Sequence, residues 1–361
     1  MMSIAPRLER IFSNTDAERI LLMNTTQKDS YFTYLTGLYA GSFESSILIA
    51  HRKKAELITT VLEYDVAKRM CPKEIDVIAA ESRSKTMELL KGRLMGKAVG
   101  INGTFLPVNL YRSIRKTGKP KRMTDVSKAL ASARQIKDWP EVELIGIANN
   151  IVKKAFSKIT GNFRVGITEK ELASEFESLM KKYGADEPSF ETIVCFGANS
   201  AVPHHVPGRT KLEPNSFVLI DAGARYLGYC SDVTRTFIFK PDMKSDKYRR
   251  MLEMYNTVKE AQEIALKSIR PGVRCEVPHN KAMEYINKVH NGIYKGRFIH
   301  GLGHSLGIDV HDVGPNLSPG YKEKIQENMV FSDEPGIYIE GFGGVRIEDD
   351  VLVTKSGGKF L

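Results

Sequence analysis

Over about the first 100 residues the chain alternates short apolar runs with polar stretches. RILLMN (19–24), SSILIA (45–50), AELITT (55–60) and KAVGIN (97–102) are rich in β-branched and aliphatic residues and read as strands, while 83–95 reads as a helix. Strands alternating with helices predict a small α/β domain. The pattern then lengthens. Trp139-Pro140 places proline at a first helical position, and Val142, Leu144, Ile145, Ala148, Ile151 and Val152 mark one face of a long helix. Thr168 with Glu171 three residues on forms a capping box ahead of Leu172, Phe176, Leu179 and Met180. Further helices are predicted over 245–268 and 276–290, with β segments between and after them. The change of pattern lies near 125–135, and 361 residues exceed one ordinary core of ~100–200 residues. Two domains are therefore predicted, 1–130 and 131–361, with no repeat of solenoid period.

Composition adds exclusions. With 42% hydrophobic and 27% charged residues, the chain matches globular protein rather than a fibrous or disordered one. The net charge of +10 is uneven: residues 1–130 hold 22 basic and 13 acidic side chains, the remainder 31 and 30. A surface built for nucleic acid would not be expected to neutralise itself over two thirds of its length. The basic stretch Arg115-Lys116-Thr117-Gly118-Lys119-Pro120-Lys121-Arg122 lacks interleaved aromatics and contains turn formers, so it is read as a solvated loop. Cys71, Cys195, Cys230 and Cys275 form no CxxC pair, which speaks against a disulfide framework or a thiolate zinc cluster. No run approaches the ~18–20 apolar residues of a membrane span, and the N-terminal residues do not read as a signal peptide. A cytoplasmic protein without membrane or nucleic-acid partners is expected.

The chemistry concentrates in two hairpins. Phe217-Val218-Leu219-Ile220-Asp221 runs toward Tyr229-Cys230-Ser231-Asp232-Val233-Thr234, and a turn at Tyr226-Leu227 sets Asp221 opposite Asp232. Phe331-Ser332-Asp333-Glu334 returns through Gly341-Phe342-Gly343-Gly344 to Val345-Arg346-Ile347-Glu348, and a pivot on Gly341 sets Glu334 opposite Glu348. Opposed side chains in a sheet have Cβ atoms ~4.5–5.5 Å apart. Two like charges 4 Å apart repel by about 4 kcal/mol at an effective dielectric of 20. Either these are solvated edge positions, which fits poorly with strands as apolar as FVLID and GVRIE, or divalent cations sit between the carboxylates and a nitrogen ligand lies nearby.

Two histidine clusters offer that nitrogen. His300, His304 and His311 fall within HGLGHSLGIDVHD. The i, i+4 spacing of His300 and His304 resembles a helical zinc motif, but Gly301, Gly303 and the missing glutamate argue against a helix there. His204 and His205 lie upstream in VPHHVP; if that segment is extended, His205 points away from its neighbour and is left aside.

DAGARYLGYCSDVTRTF, HGLGHSLGIDVHD and EPGIY…GGVRIEDD, with Asp221, Asp232, His304, Glu334 and Glu348 in that order, resemble the pita-bread metallopeptidase family in its Xaa-Pro branch, the prolidases and aminopeptidases P. Residues 140–361 resemble its catalytic domain, and DSYFTYLTGLYAGSFESSILIA (29–50) resembles its smaller N-terminal domain. The resemblance implies an α+β chain: a C-terminal pita-bread (creatinase/aminopeptidase) catalytic domain and an α/β creatinase-type N-terminal domain. It implies two divalent metal ions held by Asp221, Asp232, His304, Glu334 and Glu348, with Asp232 and Glu348 bridging. Oxygen-rich ligation suits Mn²⁺, and Co²⁺ or Zn²⁺ also fits the ligand types. It further implies Glu334 as proton shuttle, His204, His300 and His311 lining the site around the carbonyl or the proline side, and Arg346 on a site carboxylate or a substrate terminus. The expected activity is hydrolysis of the Xaa-Pro bond in dipeptides, with action on longer peptides as the alternative, and the expected assembly is a homodimer. Ser305 departs from the glycine that many prolidases carry after the ligand histidine, a position that bears on the preference for dipeptides or longer peptides. A methionine aminopeptidase would lack the first domain, and a metal-free amidinohydrolase or a non-catalytic binding module of this fold would have no reason to keep five ligands.

Overall fold

Apolar runs in the first part close into one mixed sheet. The computed structural model describes residues 3–361, which divide into two units, one up to Gln135 and one over Ile136–Leu361. In the first, strands β1 (Arg19–Met23), β2 (Ile47–Ala50), β3 (Ala55–Thr60), β4 (Ile75–Ala80), β5 (Ala98–Ile101) and β6 (Arg122–Asp125) take the order β4-β3-β2-β1-β5-β6. Helices α1 (Ala5–Phe12), α2 (Ser30–Thr36), α3 (Tyr64–Met70), α4 (Arg83–Leu94), α5 (Val108–Gly118) and α6 (Ser127–Arg134) complete the unit. Crossovers carrying α3 and α5 account for the parallel pairs β3–β4 and β5–β6, and the short connection 51–54 makes β2–β3 antiparallel; β1 pairs parallel with β5 and antiparallel with β2, which it reaches through the segment carrying α2.

The basic stretch is not one solvated loop. Residues 115–118 finish α5, Lys119 turns the chain with φ 45°, and Arg122 opens β6. Ile114 and Gly118 are buried, and a Cβ on Gly118 would lie 3.0 Å from a Leu94 methyl, so packing against α4 carries the helix through its cationic last turn. Arg115 and Lys116 there also complement the helix dipole.

The second unit sets two helix pairs against antiparallel strands. Helices α7 (Trp139–Ile159) and α8 (Glu169–Lys182) start on capping boxes at Asp138 and Thr168. They pack Val152, Phe156, Leu172 and Phe176 onto Val218 and Ile220 of β9 (Ser216–Ala222), which lies between β8 (Ile193–Phe196) and β12 (Val233–Phe239); β7 (Glu187–Pro188), β10 (Ala224–Tyr226) and β11 (Tyr229–Cys230) form a small adjoining sheet. Helices α9 (Asp246–Ser268) and α10 (Glu276–Lys288) cover a second apolar cluster. It draws on Phe331 in β13 (Val330–Asp333), Ile337 in β14 (Gly336–Ile339), Val345 in β15 (Gly343–Arg346) and Val351 in β16 (Asp349–Thr354), with β17 (Gly357–Phe360) at the edge. No helix among the described residues is long and apolar enough to cross a membrane.

His279 in α10 is 2% exposed, stacks 5.2 Å from Phe298, and has no hydrogen-bond partner at Nδ1. Burial pushes its pKa down to about 4 from 6.5. The unfolded chain therefore takes up a proton that the folded chain refuses between those values, so this contribution is complete above pH 6.5 and is lost as pH falls toward 4. A His279→Phe variant is expected to show a shallower loss of melting temperature over that window in thermal scans at stepped pH.

Candidate metal centre

Register decides which side chains meet. Between β9 and β12, Asp221 pairs with Thr234 and Ala222 with Val233. The turn falls at Leu227-Gly228, both with positive φ (47° and 88°), one residue beyond the Tyr226-Leu227 turn expected from sequence. Asp221 therefore faces Thr234 rather than Asp232. The displacement in pairing is two residues, an even number, so Asp232 stays on the same sheet face as Thr234 and Asp221. The second hairpin keeps the expected register: Gly336 pairs with Arg346 and Asp333 with Asp349, which puts Glu334 across from Glu348 about Gly341.

The hairpins are joined through threonines that line up with Asp232 on alternate positions. Thr234 Oγ1 donates to Glu348 Oε2 at 2.6 Å, and Glu348 N donates to Thr234 O at 3.1 Å. Thr236 Oγ1 donates to Arg346 O at 2.9 Å, and Arg235 Nη1 donates to Glu348 O at 2.6 Å. Asp232 N donates to Asp350 Oδ2 at 3.1 Å.

At this seam one ligand atom each from Asp232, His304 and Glu348 lie within 4.8 Å of one another. His304 Nε2 is 3.5 Å from both Asp232 Oδ2 and Glu334 Oε1. Asp221 and Arg346 share an ion pair of 2.7 Å, and both line the same cavity of about 640 Å³ as the other four. The His300–His304 segment is not helical; Gly303 bridges to Leu317 and Ser305 to Phe331. A Cβ on Gly303 would fall 2.0 Å from Ser332 O, so glycine is required for the segment to lie this close to β13.

The donor set fits divalent cations on three grounds. First, Asp221 Oδ1 and Asp232 Oδ1 are buried with no hydrogen-bond partner. Second, His304 Nδ1 lies 3.2 Å from Ser305 O, a contact that suits a proton on Nδ1, and Nε2 is aimed at two carboxylates 3.5 Å away, the orientation an imidazole needs to share a cation with them. Third, the carboxyls of Asp232 and Glu348 are raised well above the usual range, first by burial and then by the neighbouring carboxylates. Oxygen-rich ligation with one imidazole is the ligand chemistry of hard and borderline divalent ions.

The remaining expected residues divide by bonding. Arg346, 3% exposed, donates from Nη2 to Asp221, from Nη1 to Tyr338 OH at 2.9 Å and from Nε to Thr234 Oγ1 at 3.1 Å. Tyr338 OH is 2.8 Å from His300 Nε2, and His300 Nδ1 is 2.7 Å from Gly301 O. Because Tyr338 accepts from Arg346, its own proton goes to Nε2 and the His300 proton sits on Nδ1. Burial pushes the Tyr338 pKa up to about 12 and holds His300 and His311 below the ordinary imidazole value. His311 packs edge-on against His304 with ring centroids 4.3 Å apart, and His204 lines the cavity. His205 turns away to Glu169. Ser305 is 4% exposed and donates to Pro315 O at 2.8 Å, so its hydroxyl is spent on the fold. Tyr338, Thr234 and Ser332, which donates to Glu334 at 3.1 Å, were not singled out from sequence. For two of them the signal is alternation at a strand end: Ser332 stands two residues before Glu334 at the end of β13, and Thr234 two residues after Asp232 at the start of β12, whereas Tyr338 lies in the separate strand β14.

Residues 143–355 match metallopeptidase family M24, and residues 7–136 match the creatinase/prolidase N-terminal domain. The chain belongs to metallopeptidase family M24. It is 35% identical over 314 residues to an Xaa-Pro dipeptidase of Pyrococcus furiosus, covering 87% of this chain and 86% of the relative. A solved Xaa-Pro dipeptidase from Bacillus anthracis superposes with a TM-score of 0.87 at 29% identity over 98% of this chain and 96% of its own. An X-Pro aminopeptidase from Thermotoga maritima gives 0.87 at 30% identity over 97% of each chain. The M24 chain thus has the α+β architecture expected of it, a creatinase-type N-terminal domain followed by a pita-bread domain, and it is a metallopeptidase that binds divalent metal.

Because burial and like charge both act on Asp232 in the metal-free protein, Asp232→Asn is expected to do two opposite things. It should lose metal, read by elemental analysis, and it should raise the melting temperature of the metal-free form above that of metal-free wild type.

Proposed function

We propose that the protein hydrolyses the Xaa-Pro bond of dipeptides with two divalent ions, Mn²⁺ by preference, held by Asp221, Asp232, His304, Glu334 and Glu348. The observation that carries this reading is His304 Nε2 facing two carboxylates at 3.5 Å beside buried, unpartnered Asp221 and Asp232 oxygens. Such ions, when bound, supply Lewis acidity toward a peptide carbonyl and lower the pKa of water toward neutrality. Both closely similar relatives from Pyrococcus species carry the name Xaa-Pro dipeptidase, which favours the dipeptide over the longer peptides of an aminopeptidase P.

The protein's own groups take complementary parts. The Glu334 side chain is 18% exposed against 8% for Asp232, so it is the carboxylate better placed to exchange a proton with the cavity. The nitrogen of an Xaa-Pro bond has no N–H and must gain a proton on leaving, and Glu334 is the group assigned to deliver it. Both ring nitrogens of His300 are already bonded, so it steadies Tyr338 and, through it, Arg346. His204 and His311 are the imidazoles left to meet the substrate, while Phe190, Ile193 and Val310 in the cavity wall give an apolar surface for a proline ring. Arg346 offsets the Asp221 charge and fixes its orientation. The four cysteines are buried and free, which supports a reducing, cytoplasmic setting, and a homodimer remains part of this reading, checked by sedimentation equilibrium.

Hydrolysis of Ala-Pro and Met-Pro is expected to disappear on exhaustive chelation and to return with Mn²⁺, and Ala-Pro is expected to be cleaved faster than Ala-Pro-Ala. Undiminished turnover after chelation, or full activity in Asp232→Asn, would falsify the assignment of the metal centre.

A further inference from the structure

A carboxylate at a helix start is favoured by the helix dipole without being buried. Glu169, the first residue of α8, is nevertheless 0% exposed. Burying a charge there is costly unless donors surround it, and here four do. Oε1 accepts from Phe196 N and from Asn199 Nδ2, each at 2.9 Å, while Oε2 accepts from Gly208 N at 3.0 Å and lies 2.9 Å from His205 Nε2. Asn199 Nδ2 also reaches Thr210 Oγ1 at 3.0 Å. The donors come from both ends of the segment 196–208, and His204 lies within it.

Apolar contacts do not hold the tip of this segment: Val202 is 52% and Val206 72% exposed. The polar ties to Glu169, together with Gly344 N donating to Ser200 Oγ at 2.8 Å, fix its course. Successive residues then divide the work, with His205 on Glu169 and His204 in the cavity wall. We propose that Glu169, acting through His205, is a positioning residue that holds the His204 imidazole toward the substrate. This rests on the reading of His204 as a substrate-facing group.

The test is a double-mutant cycle in the metal-loaded protein, reading kcat/KM on Ala-Pro with metal content and melting temperature as controls. His205→Phe is expected to lower kcat/KM by roughly ten- to a hundredfold, the scale of a misplaced contact group, at unchanged metal content. His205→Gln, whose amide can still donate to the carboxylate, is expected to recover most of the rate. Glu169→Gln keeps the shape but sets an amide N–H₂ against donors, and should match His205→Phe; if it does not fold, the two His205 variants decide. In a His204→Ala background His205→Phe should cost nothing more. If His204→Ala impairs turnover while His205→Phe is silent, or if the two losses simply multiply, the positioning role is wrong and the site reading stands. If His204→Ala itself is silent, both are wrong.

Discussion

Four carboxylates gathered where two hairpins meet, three of them buried, are the constraint around which the catalytic unit is organised. Asp221, Asp232 and Glu348 are at most 9% exposed, and Glu334 lies across from Glu348. A facing pair costs about 4 kcal/mol at an effective dielectric of 20, and burial adds to it. Each fully buried Leu, Ile or Phe contributes roughly 1.5–3 kcal/mol, so two or three of the side chains beneath the second hairpin offset its Glu334–Glu348 pair. That is why the strands presenting carboxylates on one face are so apolar on the other. Val218 and Ile220 lie behind Asp221, and Val345 and Ile347 flank Arg346 on the way to Glu348.

Part of the repulsion is met inside the protein. Arg346 takes the Asp221 charge and Thr234 donates to Glu348, and both contacts also tie one hairpin to the other. What remains is a site whose ligands are held apart by the sheets and left short of donors. This stored electrostatic cost is what a cation relieves on binding, so metal affinity and the marginal stability of the metal-free site share one origin.

How far the sequence revealed this depended on what set the geometry. The long helices were legible because their caps and apolar faces are local, as at Thr168 with Glu171. The second hairpin was legible because its glycine-rich turn centres on Gly341. The first was displaced because Leu227, with φ 47°, takes a left-handed turn position that leucine does not announce. Alternation nevertheless survived, so Asp232 was placed on the correct face with the wrong partner. The end of α5 was misread because its continuation depends on Gly118 fitting against Leu94, a tertiary contact that a run of lysines and arginines conceals.

The imidazoles set the limit of sequence reading for a different reason. The carboxylates Asp221, Asp232, Glu334 and Glu348 stand in or beside strands, whose period fixes direction. His204, His300, His304 and His311 stand on irregular segments where nothing local fixes it. Distant polar groups fix it instead: Glu169 at 36 residues from His205, Tyr338 at 38 from His300, and Ser332, which accepts from His304 N, at 28. For His311 the anchor is the buried ion pair between its neighbour Asp312 and Lys137, 3.2 Å apart and 175 residues distant in sequence. In such a site the ligand residues can be named from motif order, whereas the residues that aim them emerge only once the chain has folded.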